Sequence, residues 1–81
     1  MIKYKINIVE ELKAKGFNQY VIKKENLLPA QTMVNIKEGK SITLDTLNKL
    51  CIMLGMQPSD IVEIVPTDEE LQKYFGKKEN I

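Results

Sequence analysis

The 81-residue chain predicts a compact all-α domain of five short helices with modest extensions. Three observations carry this. Apolar residues recur at helical spacing, most clearly at Leu44, Leu47, Leu50, Cys51 and Leu54. Helix-starting residues (Asn7, Asn18, Thr43, Pro58) stand before such segments, and Gly16, Gly39 and Gly55 stand after them. The hydrophobic fraction of 43% is a globular figure, too high for a disordered chain.

Each element has its own local logic. Asn7 caps a first helix whose third residue is Glu10, the spacing of a capping box. Val9, Leu12 and Ile8 face inward, and Gly16 stops the helix in the left-handed region. Asn18 opens a second helix running to about Glu25, with Ile22 and Val21 inward. A third runs from about Pro29 to Glu38, burying Met33 and Ile36 and ending at Gly39. Thr43 caps the fourth, whose inward stripe is the run of leucines from Leu44 to Leu54. Pro58 suits the first position of a fifth, carrying Ile61, Val62 and Ile64 until Pro66.

The ends are less regular. "IKYKI", residues 2–6, alternates apolar and polar residues like a short N-terminal strand. "VEIV", residues 62–65, is β-branched and either pairs with that strand or extends the fifth helix. "TDEELQKYFG", residues 67–76, opens on a Thr67/Glu70 capping box and closes on Gly76. It reads as a sixth helix with Leu71, Tyr74 and Phe75 on one face, docked back on the core or used in a partner contact. Residues 77–81 are expected to fray. The chain thus divides into a domain over 1–66 and an acidic extension over 67–81.

The most informative stretch is "KKENLLPAQTMVNIKEG", residues 23–39. A proline inside a helix costs about 3 kcal/mol or more, whereas at the first position of a new helix its missing N–H costs almost nothing. Pro29 therefore separates two helices, joined by a corner of about three residues, Asn26 to Leu28. A sharp corner of this kind is a helix-turn-helix, here spanning 18–38. With Met33 and Ile36 buried, Gln31, Val34 and Asn35 point outward, flanked by Ala30 and Thr32. That face is slim and uncharged. Gln and Asn can bond bidentately to adenine, and apolar groups can touch a thymine methyl. A polar outer face is also what any surface helix carries, so the reading rests on the corner and on the charge around it.

Charge is distributed unevenly. Residues 1–59 carry nine lysines against five acids, and residues 60–81 carry three lysines against six acids, giving +4 and −3 and a net +1. A basic body suits a polyanionic partner, although a solvated lysine surface looks the same in sequence. Lys13, Lys15, Lys23, Lys24 and Lys40 are candidate phosphate partners. There is no arginine, which removes the commonest bidentate contact to guanine. Nor is there a histidine to serve as general base or to activate Cys51, and the chain lacks a zinc-ligand cluster or a phosphate-cradling glycine loop. The reading is therefore not an enzyme, with no cofactor and no metal. Tyr4 and Tyr20 are not spaced as a stacking platform for RNA. Cys51 and the methionines Met33, Met53 and Met56 read as packing residues. One cysteine allows no internal disulfide, the N-terminus is charged throughout, and no apolar run reaches membrane-spanning length, so a cytoplasmic protein is expected.

The run "GFNQYVIKKENLLPAQTMVNIKEGKSITLDTLNKLCIMLGMQPSDIVE", residues 16–63, resembles the helix-turn-helix domains of lambdoid phage repressors and Cro, the xenobiotic-response-element (XRE) family in bacterial regulators. The resemblance lies in Gly16, Asn18 and Gln19, in the apolar Ile22, Leu28, Met33 and Ile36, in "KEGK", and in the fourth and fifth helices. It implies a five-helix lambda-repressor-like fold and a sequence-specific double-stranded DNA-binding transcriptional regulator, expected to be a phage-like repressor. It further implies that Ala30, Gln31 and Asn35 face base edges, that Gln19 bonds a phosphate, and that Thr32 and Lys40 approach the backbone. The residues themselves add Val34, from the outward face, to the candidate base contacts, and Asn18, Lys23 and Lys24 to the candidate phosphate contacts. A homodimer on an inverted-repeat operator is the implied assembly. The alternative on the same fold is an antitoxin or regulator-modulating interaction module that meets a protein partner through 67–81. Two positions depart from the family pattern: Lys23 stands where a small residue is usual, and Leu27 stands in place of the turn glycine. Leu27 cannot take a left-handed conformation cheaply, so Asn26 is expected to take it instead.

Overall fold

A computed structural model describes residues 1–76. Its elements are β1 (Ile2–Tyr4), α1 (Ile8–Ala14), α2 (Gln19–Lys24), α3 (Ala30–Lys37), α4 (Leu44–Leu54), α5 (Pro58–Ile61), β2 (Val62–Ile64) and α6 (Asp68–Phe75). The expectation of fraying at 77–81 lies outside the described residues. No described helix is long and apolar enough to cross a membrane.

Local chemistry sets the helix starts. Asn7, Asn18 and Thr43 each accept a backbone N–H three residues on through the side chain, satisfying a donor the helix leaves orphaned. At Asn7 only half of the expected capping box forms, since Glu10 turns instead to Lys13 Nζ at 3.6 Å. Thr67 and Glu70 form theirs in full.

Helices α1 to α4 all stop the same way. A backbone N–H reaches back five residues: Phe17 to Leu12, Leu27 to Ile22, Lys40 to Asn35 and Met56 to Cys51. These are Schellman closures, which require one residue in the left-handed region. Glycine supplies it after α1, α3 and α4, and Asn26, at φ 53°, supplies it after α2. Leu27 is therefore not strained. It follows the turn residue and packs against the core, the usual apolar partner of this closure. Asn26→Val is expected to cost roughly 1–2 kcal/mol and Asn26→Gly almost nothing, as read by urea denaturation.

The core takes residues from every element of the helical body: Ile8 and Leu12, Ile22, Leu28, Met33 and Ile36, Leu50 and Leu54, and Ile61. Several expectations shift. Pro29 is the cap of α3 and not its first residue, with φ −61° and ψ 149°, so the corner spans 25–29. Within α1, Ile8 is buried while Val9 is only half-buried. Leu44 is 84% exposed although it opens the apolar stripe of α4. At about 100° per residue it lies about 120° around the helix from Leu50, off the core. Thr46 is buried in that first turn, its hydroxyl bonded to that of Thr43.

The fifth helix is one turn long. After it, Val62 to Ile64 pair antiparallel with β1 in the register Ile2↔Ile64, Lys3↔Glu63 and Tyr4↔Val62. The question left open in the sequence resolves toward strand pairing, and the N-terminal strand is real. Tyr4 and Val62 pack on the core, while Ile2 and Ile64 lie beyond it, exposed. Helix α6 buries none of its residues, so Leu71, Tyr74 and Phe75 do not cover the core. Gly76 stays right-handed (φ −56°) and does not close that helix in the expected way.

Candidate nucleic-acid interface

The corner places α3 with Met33 and Ile36 against the core and its opposite side in solvent. Ala30, Gln31 and Val34 are exposed, and Thr32 and Asn35 are half-buried. All residues expected to face base edges thus share one accessible side of α3. Gln31 and Asn35 are coupled: Gln31 Nε2 donates to Asn35 Oδ1 at 3.0 Å. The bond leaves the Gln31 oxygen as an acceptor and N–H groups on both amides as donors. That is an acceptor–donor pair of the kind adenine N6/N7 requires. The i,i+4 spacing was a signal for this bond that reading the residues singly does not exploit.

The expected phosphate partners surround this face without forming one cluster. Asn18 and Gln19 sit at the start of α2, where the Asn18 side-chain oxygen is spent on the Val21 N–H at 2.9 Å. Lys23 and Lys24 follow on the same helix, exposed, with Lys24 Nζ 5.7 Å from the centre of the Tyr20 ring. Lys23 stays at the surface, its charge in solvent as a long side chain allows. It lines a groove of about 550 Å³ between α2 and α3, together with Tyr20, Val34 and Lys37. Tyr20 and Lys37 were not singled out from the sequence for this role, and only their proximity in the fold brings them in.

Lys40 lies just past α3 and pairs with Glu38 at 2.9 Å. Such an exposed pair is worth at most about 1 kcal/mol, so a phosphate can replace the carboxylate. The loop is fixed from the side: Tyr4 Oη donates to the Lys40 carbonyl oxygen at 2.5 Å. Burial pushes the Tyr4 phenol above its ordinary value, the direction that favours its protonated, donating form. The N-terminal strand thereby positions the segment after α3. Among the described residues, Lys15, Lys23, Lys24 and Lys37 make no ion pair, whereas Lys13 is engaged by Glu10 at 3.6 Å. Among the same residues no three His, Cys, Asp or Glu side chains cluster as metal ligands.

This is the architecture of a helix-turn-helix domain, with five helices in the order of the lambda-repressor-like fold. Residues 7–67 match the family model of the Cro/C1-type HTH DNA-binding domain, and the chain belongs to that family. Neither curated proteins nor solved structures gave a match. A domain of this family binds double-stranded DNA, and the resemblance to XRE-type regulators read from the sequence is borne out. The family is typically non-enzymatic.

Proposed function

We propose that the chain is a sequence-specific transcriptional regulator, a repressor, whose α3 enters the major groove of its operator. The hydrogen-bonded Gln31–Asn35 pair on the outer side of α3 carries this reading. Its free acceptor and donors meet adenine, Val34 touches a thymine methyl, and Ala30 lets the helix end approach closely. Asn18, Gln19, Lys23, Lys24, Thr32 and Lys40 hold the backbone and set the register. The DNA-binding unit is 1–66, and 67–81 is an acidic extension. Two copies bind an inverted repeat with half-sites about 34–36 Å apart, and an occupied operator blocks polymerase.

Salt dependence tests the phosphate contacts. If Lys23, Lys24 and Lys40 each neutralise one phosphate, log K falls with log salt at a slope of about −3 per chain. Fluorescence anisotropy with a labelled duplex reads that slope, and Lys23→Gln lowers it by about one. Affinity that stays flat from low to physiological salt would sink the mechanism.

A further inference from the structure

The segment just past α3 is held by its main chain more than by its charge. The Lys40 ammonium meets the Glu38 carboxylate at 2.9 Å, but both side chains are exposed and such a pair fixes little. The backbone of the same residue is bonded at both ends. Its N–H donates to the Asn35 carbonyl oxygen at 2.8 Å, which ties it to the last turn of α3. Its carbonyl oxygen accepts from Tyr4 Oη at 2.5 Å, which ties it to β1. Lys40 is thus strung between the helix that carries Gln31 and Asn35 and a strand 36 residues earlier in the chain.

The strand end of that tie is itself firmly seated. Tyr4 pairs with Val62, and both pack against the core. The next residue, Lys5, donates its N–H to the carbonyl oxygen of the fully buried Ile61 at 2.8 Å and its ammonium to the Ser59 carbonyl oxygen at 2.9 Å. Between the ribbon and residues 39–43 lies a small groove of about 80 Å³, walled on the ribbon side by Ile2, Tyr4 and Val62. Among the described residues the Tyr4–Lys40 bond is the one hydrogen bond across it. Residues 40–43 belong to no helix or strand, so this bond, with the core contact of Ile42, fixes the chain as it leaves Lys40. Tyr4 lies before the stretch shared with the family, residues 7–67, so the brace is not part of the matched domain.

We propose that Tyr4 is a positioning residue for DNA binding: its hydroxyl holds the Lys40 main chain so that the Lys40 ammonium meets a backbone phosphate while α3 lies in the major groove. The inference rests on the phosphate contact assigned to Lys40 under Proposed function. Tyr4 acts through Lys40 and need not touch DNA. A lysine side chain has many rotamers, and a loop that also wandered would multiply the states lost on binding. Fixing the main chain removes that part of the cost. In the unbound protein the bond sets the fraction of chains whose loop is already in place, and apparent affinity scales with that fraction. One hydrogen bond of ordinary net strength shifts such a population by about 3–10-fold. The contacts made in the complex stay the same, and so does the salt dependence they set.

The test measures binding of the full chain to a labelled random-sequence duplex at low salt by fluorescence anisotropy, since phosphate contacts do not depend on sequence. Tyr4→Phe keeps the ring on the core and removes only the donor, and circular dichroism checks the fold. It weakens binding by about 3–10-fold and leaves the salt slope unchanged, whereas Lys40→Gln makes the slope shallower by about one. In the Lys40→Gln background Tyr4→Phe changes affinity by less than about 2-fold, because the loop it holds no longer carries the contact. A tyrosine with a merely structural role weakens both backgrounds alike. Amide ¹⁵N relaxation reads the brace directly, in the wild type as well as the variant. Order parameters at Lys40 and Ser41 are about 0.85 in the wild type and fall toward about 0.6 in Tyr4→Phe. Wild-type affinity in Tyr4→Phe, an equal loss in both backgrounds, or a mobile Lys40 in the wild type overturns the positioning role and leaves the Lys40 contact standing. A salt slope unchanged by Lys40→Gln overturns the contact itself, and the positioning role with it.

Discussion

Gln31→Ala is expected to weaken binding to the preferred operator by about 10–100-fold, the equivalent of roughly 1–3 kcal/mol for one bidentate base contact. Asn35→Ala is expected to do the same. The two losses should not add. Gln31 and Asn35 bond to each other at 3.0 Å, so either substitution frees the surviving amide to rotate out of position. A double-mutant cycle should report a coupling on the order of 1 kcal/mol. Neither change should disturb the fold by more than about 0.5 kcal/mol, because both amides lie on the outer side of α3. Affinity for a scrambled duplex should barely move, since phosphate contacts dominate there. Equal weakening on operator and scrambled DNA would instead assign these side chains to general backbone binding.

Leu50→Ala should nearly unfold the protein. Leu50 is fully buried and shares the core with Leu12, Leu54 and Ile61. Truncating such a leucine costs about 2–5 kcal/mol. A chain of this length has a total stability of about 4–12 kcal/mol. The melting temperature should drop by more than about 10 °C, as followed by circular dichroism. Leu44→Ala provides the control. The two leucines belong to one apolar stripe in the sequence, yet Leu44 is exposed, and its truncation in dilute monomer should change stability by less than about 0.5 kcal/mol. Similar losses at both positions would contradict the packing described here.

That contrast shows where the sequence is legible. Helix starts at Asn7, Asn18, Thr43 and Thr67 depend on contacts within three residues, so local chemistry predicts them. The left-handed turn at Asn26 follows from the inability of Leu27 to adopt it, again a local matter. The ribbon depends on Ile2 meeting Ile64 across the whole domain, and no local pattern decides between that strand and a longer fifth helix. The exposure of Leu44 reflects where the core ends, which the stripe does not encode. The outward side of α3 was readable from periodicity once Met33 and Ile36 were taken as buried. The Gln31–Asn35 bond, the Tyr4 brace on the Lys40 loop and the groove shared by Lys23 and Lys37 appear only when the elements are assembled.

Selection of bound duplexes from a random library is the most direct test of a sequence-reading α3. The account predicts enrichment of an inverted repeat whose half-sites are one helical turn apart, with an A·T pair at the position that loses its preference in Gln31→Ala or Asn35→Ala. Binding that enriches no sequence, or a preference that survives both substitutions unchanged, would contradict it.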